Sequence, residues 1–224
     1  MNTPAKNLLC LTLLGLAACS SGSKPADWQL EAKTASERAV AAYMEGNTRV
    51  EAVEFGRALA EVSSTGQVGL VARIELLRCA TRVASLVLEP CAGFERLRQD
   101  APPAERAYAD HLAGQLQPQD AALLPGAQRA AAAGDAAALA GNAEPLSRLV
   151  VAGVLFRAGR ATPAVVQQAV DTASSQGWRR PLLAWLGVQA QLAEKGGDLA
   201  EAARLRRRMA LVDVPAVQPA KVLP

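Results

Sequence analysis

Cysteine and histidine, two residue types that often carry nucleophilic, acid–base or metal chemistry, are scarce in this chain. Its 224 residues include four cysteines and one histidine. The most informative of these is Cys19, which ends the run Leu16-Ala17-Ala18-Cys19 directly behind a short apolar stretch. A thiol offers a nucleophilic sulfur that can be alkylated. Its place beside an apolar segment near the start of the chain predicts modification of Cys19 rather than packing into a core.

The segment before Cys19 has the length of a targeting sequence. Residues 8–18 are apolar apart from Thr12. A helix of that length spans roughly 16 Å, about half of a hydrocarbon core, so it is too short to cross a bilayer. The segment resembles the apolar region of a secretory signal peptide. Together with Leu16-Ala17-Ala18-Cys19 it resembles the lipobox of bacterial, and here Gram-negative, lipoproteins. A plain secreted protein with an incidental cysteine is the alternative.

This resemblance implies where the protein is found. Residues 1–18 would be the signal peptide, and residues 19–25 a lipidated tether whose first residue, Cys19, carries acyl chains such as palmitate. Two or more such chains anchor a protein stably. Ser20 lacks the acidic signal that favours retention in the inner membrane, so the resemblance implies an outer-membrane anchor on the periplasmic face. The inner membrane and the cell surface are the alternatives.

Two further cysteines, Cys79 and Cys91, would remain in an oxidising compartment, while Cys10 would leave with the signal peptide. An even pair there predicts a disulfide. One helix continuing from Cys79 to Leu88 would carry the chain about 13 Å away. A disulfide needs a Cα separation of about 6 Å. The bond therefore requires the helix to end early or to bend before residue 89.

Other reactive groups give no recognisable catalytic motif. The single His111 has no accompanying Cys/His cluster, so we expect a surface or capping histidine and no metal or cofactor. Ser21 and Lys24 match the spacing of the penicillin-binding-protein nucleophile motif, but they lie in the tether. Glu51 and Glu54 lie one turn apart, which we interpret as a solvated helix face. The expectation is that no residue is catalytic.

The strongest charge cluster lies near the C-terminus. Its members are Arg204, Arg206, Arg207 and Arg208. The apolar stripe of the same predicted helix runs through Ala202, Leu205, Met209 and Val212. The arginines should therefore project from its other sides. They form either a solvated surface or a contact for an acidic partner or anionic lipid headgroups.

Composition and periodicity predict an all-α protein. Hydrophobic residues make up 50% of the chain and aromatic residues only 4%, a balance typical of closely packed Ala-rich helices. Apolar residues recur at three- and four-residue intervals, and prolines precede several of these stretches. The predicted helices cover residues 26–45, 48–62, 67–88, 92–98, 103–116, 118–133, 144–158, 163–176, 181–195 and 198–212. Residues 26–212 would form the domain and residues 213–224 a mobile tail.

The recurring unit is a helix, then Gly with Asn or Asp, then another Ala-rich helix. It occurs at Gly46-Asn47, Gly134-Asp135, Gly141-Asn142 and Gly197-Asp198. The stretch that begins at Gly197 resembles the second helix of a tetratricopeptide hairpin, although no 34-residue period is kept. The predicted architecture is a stack of antiparallel hairpins, a degenerate tetratricopeptide-like solenoid. A compact helical bundle is the alternative.

The whole chain resembles the α-helical lipoproteins of proteobacteria, some of which have tetratricopeptide-like folds. The resemblance implies a non-enzymatic adaptor, held to the membrane through Cys19, that binds an envelope protein in assembly, secretion or pilus machinery. The alternatives are a cell-wall or small-ligand enzyme or its activator, and a structural spacer. The chain has 24 basic and 21 acidic side chains, a balance that gives no reason to expect nucleic acid as a partner.

Overall fold

The computed structural model describes residues 25–133 and 138–213. Over these residues the protein is all-helical, as predicted, and has no strand. The α-helices are α1 Asp27–Glu45, α2 Thr48–Ser63, α3 Val68–Ala84, α4 Ala92–Glu95, α5 Pro103–Ala113, α6 Gly126–Ala132, α7 Ala138–Gly141, α8 Pro145–Arg157, α9 Pro163–Ser175, α10 Arg179–Lys195 and α11 Leu199–Val212. A 3₁₀ helix, Pro118–Leu123, lies between α5 and α6.

Several predictions fall on residues outside those described. The signal peptide of residues 1–18, the lipidated Cys19, the tether up to residue 24 and the tail from residue 214 onward all lie there. They stay predictions. Among the described residues, no helix combines the length and apolar character needed to cross a membrane.

Capping residues in the sequence predict most helix ends correctly. The Asn47 side chain accepts a hydrogen bond from the Val50 amide at 3.2 Å, and the Thr162 hydroxyl accepts one from the Val165 amide at 3.3 Å. Gly46 ends α1 in the left-handed conformation, with φ of 89°. Side-chain caps and a glycine C-cap satisfy the backbone groups that a helix end leaves unpaired. These ends are therefore encoded locally.

Four predicted helices are shorter than expected by three residues or more. Two of them, α4 and α5, end at Glu95 and Ala113 instead of residues 98 and 116. Residues 118–133 do not form one helix, because Pro125 has no N–H to donate and separates the 3₁₀ helix from α6. α3 ends at Ala84 instead of residue 88, and Leu86 turns the chain with φ of 60°. The chain returns from there to Cys91, which is bonded to Cys79 across a Cα separation of 5.7 Å. The early end of α3 is what the disulfide requires.

The core is centred on α3 and α8. The segment from Leu149 to Leu155 is buried on every side, and α3 packs directly against it at Gly153. Trp185 of α10 is also fully buried, and its indole N–H donates to the carbonyl of Ala84 at 3.0 Å. The hydrogen bond pairs one of the carbonyls that the end of α3 leaves free.

Helices far apart in sequence meet around this core. Besides the α3–α8 contact, α10 reaches α1, where the Arg180 guanidinium donates to the Tyr43 carbonyl at 2.8 Å. In a linear solenoid each repeat contacts only its neighbours. The described helices instead close on themselves, so the tetratricopeptide-like solenoid is not confirmed.

Candidate functional site

A cleft with a volume of about 690 Å³ lies between α3, α5, the 3₁₀ helix, α6 and α8. We refer to it as the central cleft. It is lined by Arg73, Leu76, Leu77, Ala80, Ala104, Glu105, Tyr108, Ala122, Leu123, Leu124, Pro125, Arg129, Glu144, Leu146, Ser147 and Val150. Binding sites for small molecules generally occupy roughly 300–1,000 Å³ and are mostly apolar with a few placed polar groups. The central cleft has both properties.

The apolar surface of the cleft comes from three sides. Leu76 of α3 and Val150 of α8 are buried in its floor, and Leu124 is buried beside them. Leu123, at the end of the 3₁₀ helix, stands at the edge with 43% of its surface exposed. Leu123 therefore offers a ligand an exposed apolar surface at the edge of the cleft.

The break at Pro125 shapes this wall. Leu124 has an extended backbone between the 3₁₀ helix and α6. Its carbonyl accepts a hydrogen bond from the guanidinium of Arg129 at 3.1 Å. A continuous helix over residues 118–133 would not have presented Leu123 and Leu124 in this way. The proline that the sequence places at residue 125 therefore builds one side of the cleft.

An ion pair crosses the mouth of the cleft. The Arg73 guanidinium of α3 donates to Oε1 of Glu105 on α5 at 2.6 Å. The Arg73 side chain is 67% exposed, whereas that of Glu105 is only 7% exposed. Oε2 of Glu105 is buried and receives no hydrogen bond from the described residues. Tyr108 lies one turn further along α5, and its hydroxyl has no hydrogen-bond partner among them.

Tyr108 stays protonated at any physiological pH. Its pKa is raised well above the usual value, first by burial and then by the negative charge of Glu144. Glu144 is fixed in place, because its carboxylate accepts hydrogen bonds from the amides of Leu146 and Ser147 at the start of α8. The Tyr108 hydroxyl is therefore available as a neutral donor and acceptor.

His111 does not lie at the surface, so the sequence-based expectation is wrong. It is 2% exposed, and its Nε2 lies 2.9 Å from Oε1 of Gln128. The Gln128 amide donates to the Ser147 hydroxyl at 3.0 Å, and this hydroxyl also accepts from Asn142 at 2.8 Å. This network joins α5, α6 and α8 behind the cleft. Hydrogen-bonded networks of buried side chains fix a unique arrangement of the helices that carry them.

Acidification should destabilise the protein through His111. Burial lowers the pKa of the imidazole below its usual 6.5, an effect that the hydrogen bond to Gln128 only partly opposes. Below pH 6.5 the unfolded chain then binds a proton that the folded chain does not, so the free energy of unfolding falls as the pH decreases from 6.5 toward the folded-state pKa. The limiting slope is about 1.4 kcal/mol per pH unit.

The measurement is urea unfolding between pH 7.5 and 5.5 on the wild type and on His111→Gln. The chain has one histidine, so the variant should lose the part of the pH dependence that belongs to this residue. Equal pH dependence in the two proteins would contradict the prediction.

Glu51 and Glu54 form no solvated face, which corrects the sequence-based interpretation. They are 2% and 8% exposed. Oε1 of Glu51 accepts from Arg78 of α3 at 2.8 Å, and Glu54 accepts from Arg38 of α1 at 3.0 Å. The two carboxylates join α2 to the helices on either side. Their partners lie on other helices, which is why the sequence of α2 alone did not indicate burial.

The C-terminal arginines are partly engaged within the fold. Arg204 donates to Glu201 one turn earlier on α11, Arg206 forms an ion pair with Glu194 of α10, and Arg208 donates to the Ser174 hydroxyl at 3.2 Å. Arg207 is exposed. These contacts tie α11 to α9 and α10, and the predicted partner contact at Arg204, Arg206, Arg207 and Arg208 stays a prediction.

The comparisons with known proteins give no match for this chain among protein-family models, curated proteins or solved structures. Within the described ranges, no group of three or more His, Cys, Asp and Glu side chains could hold a metal ion. The candidate site therefore rests on the geometry of the central cleft.

Sequence reasoning did not single out the cleft residues. No recognisable sequence motif includes Arg73, Glu105 or Tyr108. Leu123 lies in a stretch that the sequence predicts to be a single helix. One signal was available, because Pro125 interrupts that helix and a proline inside a helical pattern ends or bends it. The pairing of Arg73 with Glu105, 32 residues apart, has no local signature.

Proposed function

We propose that this protein is a membrane-anchored periplasmic adaptor whose central cleft binds an apolar segment of an envelope protein. The observation that carries the proposal is the cleft itself. Its lining is dominated by leucine, alanine and valine, and its edge exposes Leu123. A small number of polar groups around an apolar floor is the arrangement expected of a binding site.

The anchor would determine where the cleft acts. α1 begins at Asp27, eight residues after the proposed lipidation site Cys19. A fully extended tether of that length reaches about 27 Å. We propose that the tether holds the domain within that distance of the outer membrane and that the cleft is open to partners in the periplasm. The close packing of α3 against α8 at Gly153 supports a role in binding, because a cleft that is already formed loses little entropy when a partner binds.

The test places a photo-reactive amino acid at residue 123 of the full-length protein and identifies what it captures in intact cells. The matched control is residue 30 of α1, since Leu30 and Leu123 are both 43% exposed but only Leu123 lines the cleft. We expect one dominant envelope protein to be captured from residue 123 and absent from residue 30.

A second control, Cys19→Ala, removes the proposed anchor and should reduce the captured amount several-fold without changing the folded domain. Capture of no protein from residue 123, or the same set of proteins from both residues, would exclude the cleft as the site of an adaptor. Ligand and peptidoglycan-binding assays would then test the enzyme alternative.

A further inference from the structure

The wall of the cleft that α5 provides carries two polar groups with unused hydrogen-bonding capacity. Oε2 of Glu105 is buried without a partner among the described residues. The hydroxyl of Tyr108, one helical turn away, has none either, and residues at this spacing lie on the same helix face. A buried acceptor left unpaired is costly and needs an explanation such as an absent ligand or water. Both groups can accept a hydrogen bond from a ligand.

The cleft is lined by equal numbers of positively and negatively charged side chains. Two are positive, Arg73 and Arg129, and two are negative, Glu105 and Glu144. A ligand with a large net charge would meet as much repulsion as attraction in such a site. The balanced charges, together with the apolar floor, suit a ligand that is uncharged and apolar along most of its length. Its polar groups should both donate and accept hydrogen bonds.

A peptide backbone meets these requirements, because each of its units carries one donor and one acceptor. We propose that the central cleft selects an uncharged apolar peptide segment and that Glu105 and Tyr108 accept hydrogen bonds from its backbone N–H groups. This inference rests on the proposed function and specifies the partner's chemistry. Oε2 of Glu105 is buried, so a donor reaches it only after the side chains around it shift. The Arg73 side chain that pairs with Glu105 is 67% exposed and is the one we expect to move.

The carbonyl groups of the segment would then face the guanidinium groups. Arg73 uses Nε for Glu105, and Arg129 uses Nη2 for the carbonyl of Leu124. Each retains further N–H groups, since a guanidinium has five. Apolar side chains of the segment would lie against Leu76, Leu123 and Val150. Glu105 and Tyr108 are thus the specificity-determining residues, while the leucines supply a surface that does not discriminate between apolar sequences.

The experiment measures binding of the full-length protein to acetyl-Ala-Leu-Ala-Leu-Ala-amide by calorimetry. It then uses a set of the same peptides in which one backbone nitrogen at a time is methylated, and one peptide with glutamate at the centre. Methylation removes a single N–H. At the position that meets Glu105, we expect a loss of affinity of roughly 10-fold or more, because a hydrogen bond to a charged acceptor is lost. The glutamate peptide should also bind at least several-fold more weakly.

Substitutions in the protein test which side chains accept the hydrogen bonds from the peptide. Glu105→Gln and Tyr108→Phe should each weaken binding of the unmethylated peptide and reduce the penalty for methylation. Glu54→Gln is the matched control, because Glu54 is likewise a buried carboxylate paired with arginine but lies outside the cleft. Circular dichroism checks that each variant is folded. If Glu105→Gln fails to fold, Tyr108→Phe alone decides the outcome.

The outcomes separate the inference from the proposed function. Equal binding of all methylated peptides would overturn the role of Glu105 and Tyr108 and leave the adaptor in place. No binding of the apolar peptide, together with capture of a protein from residue 123 in cells, would overturn the uncharged peptide as the ligand class. No peptide binding and no capture would remove both proposals.

Discussion

Replacement of Gly153 by alanine is expected to lower the free energy of unfolding by about 3 kcal/mol, the upper part of the range for an overpacked core. A Cβ at residue 153 would lie 2.3 Å from the carbonyl oxygen of Val83. The contacted atom belongs to the backbone of α3, so no change of side-chain rotamer can relieve it. α3 and α8 must separate, and the core between them must open.

Gly56→Ala provides the matched control. Gly56 also lies inside a helix, but a Cβ there meets nothing within 4 Å. The substitution should therefore stabilise the protein by about 0.5–1 kcal/mol through the higher helix propensity of alanine. Urea unfolding of both variants measures the difference. A Gly153→Ala protein as stable as Gly56→Ala would show that α3 and α8 do not approach as closely as described.

Removal of the disulfide should have an effect of similar size. The double variant Cys79→Ser/Cys91→Ser loses a link between residues separated by 12 positions, and the chain-entropy account predicts a loss of about 3 kcal/mol for a loop of this length. The bond also holds the segment after Ala84, where α3 has ended and the chain turns back at Leu86. Without it, this segment should open before the rest of the core.

Thermal unfolding with and without dithiothreitol tests this prediction. The reductant should lower the melting temperature of the wild type to that of the double variant and should leave the variant unchanged. A reductant effect of the same size on the double variant would mean that another cysteine is responsible. No effect on the wild type, with full reduction verified by thiol titration, would contradict a stabilising role for the bond.

The Gly153→Ala substitution should also affect the central cleft, because residues of α3 and α8 form the cleft floor. Val150 in the cleft floor precedes Gly153 by one turn of α8, and Leu76 precedes Cys79 by one turn of α3. Moving α8 away from α3 therefore displaces both of these residues of the cleft floor at once. Gly153→Ala should therefore weaken the capture of a partner from residue 123 even under conditions in which the protein stays folded.

The secondary structure could largely be predicted from the sequence, because its signals are local. Asn47, Thr162 and Asp198 accept hydrogen bonds from amides three residues later, and a side-chain oxygen beside the start of a helical pattern predicts such a cap. Gly46 ends a helix in a conformation that other residues avoid. The errors came where two local signals competed, as at Pro125, and where α3 ends at Ala84 ahead of the turn at Leu86.

Burial was harder to predict, because polar residues are buried by partners that are distant in sequence. Glu51 and Glu54 look like an exposed acidic face until Arg78 of α3 and Arg38 of α1 are placed beside them. His111 looks like a surface residue until Gln128 accepts its hydrogen bond. A buried charge or imidazole is tolerated only when such a partner is present. The tertiary structure therefore decided these positions.

The sequence by itself determined that the protein is all-helical and where most helices begin and end, since hydrophobic periodicity and capping depend on neighbouring residues. It also supplied Cys19 and the apolar run before it, the basis of the proposed anchor. Only the tertiary structure decided that α3 meets α8 at Gly153 and that Arg73 pairs with Glu105. The central cleft between these helices is likewise a product of their packing, because its walls come from chain segments that no short-range pattern connects.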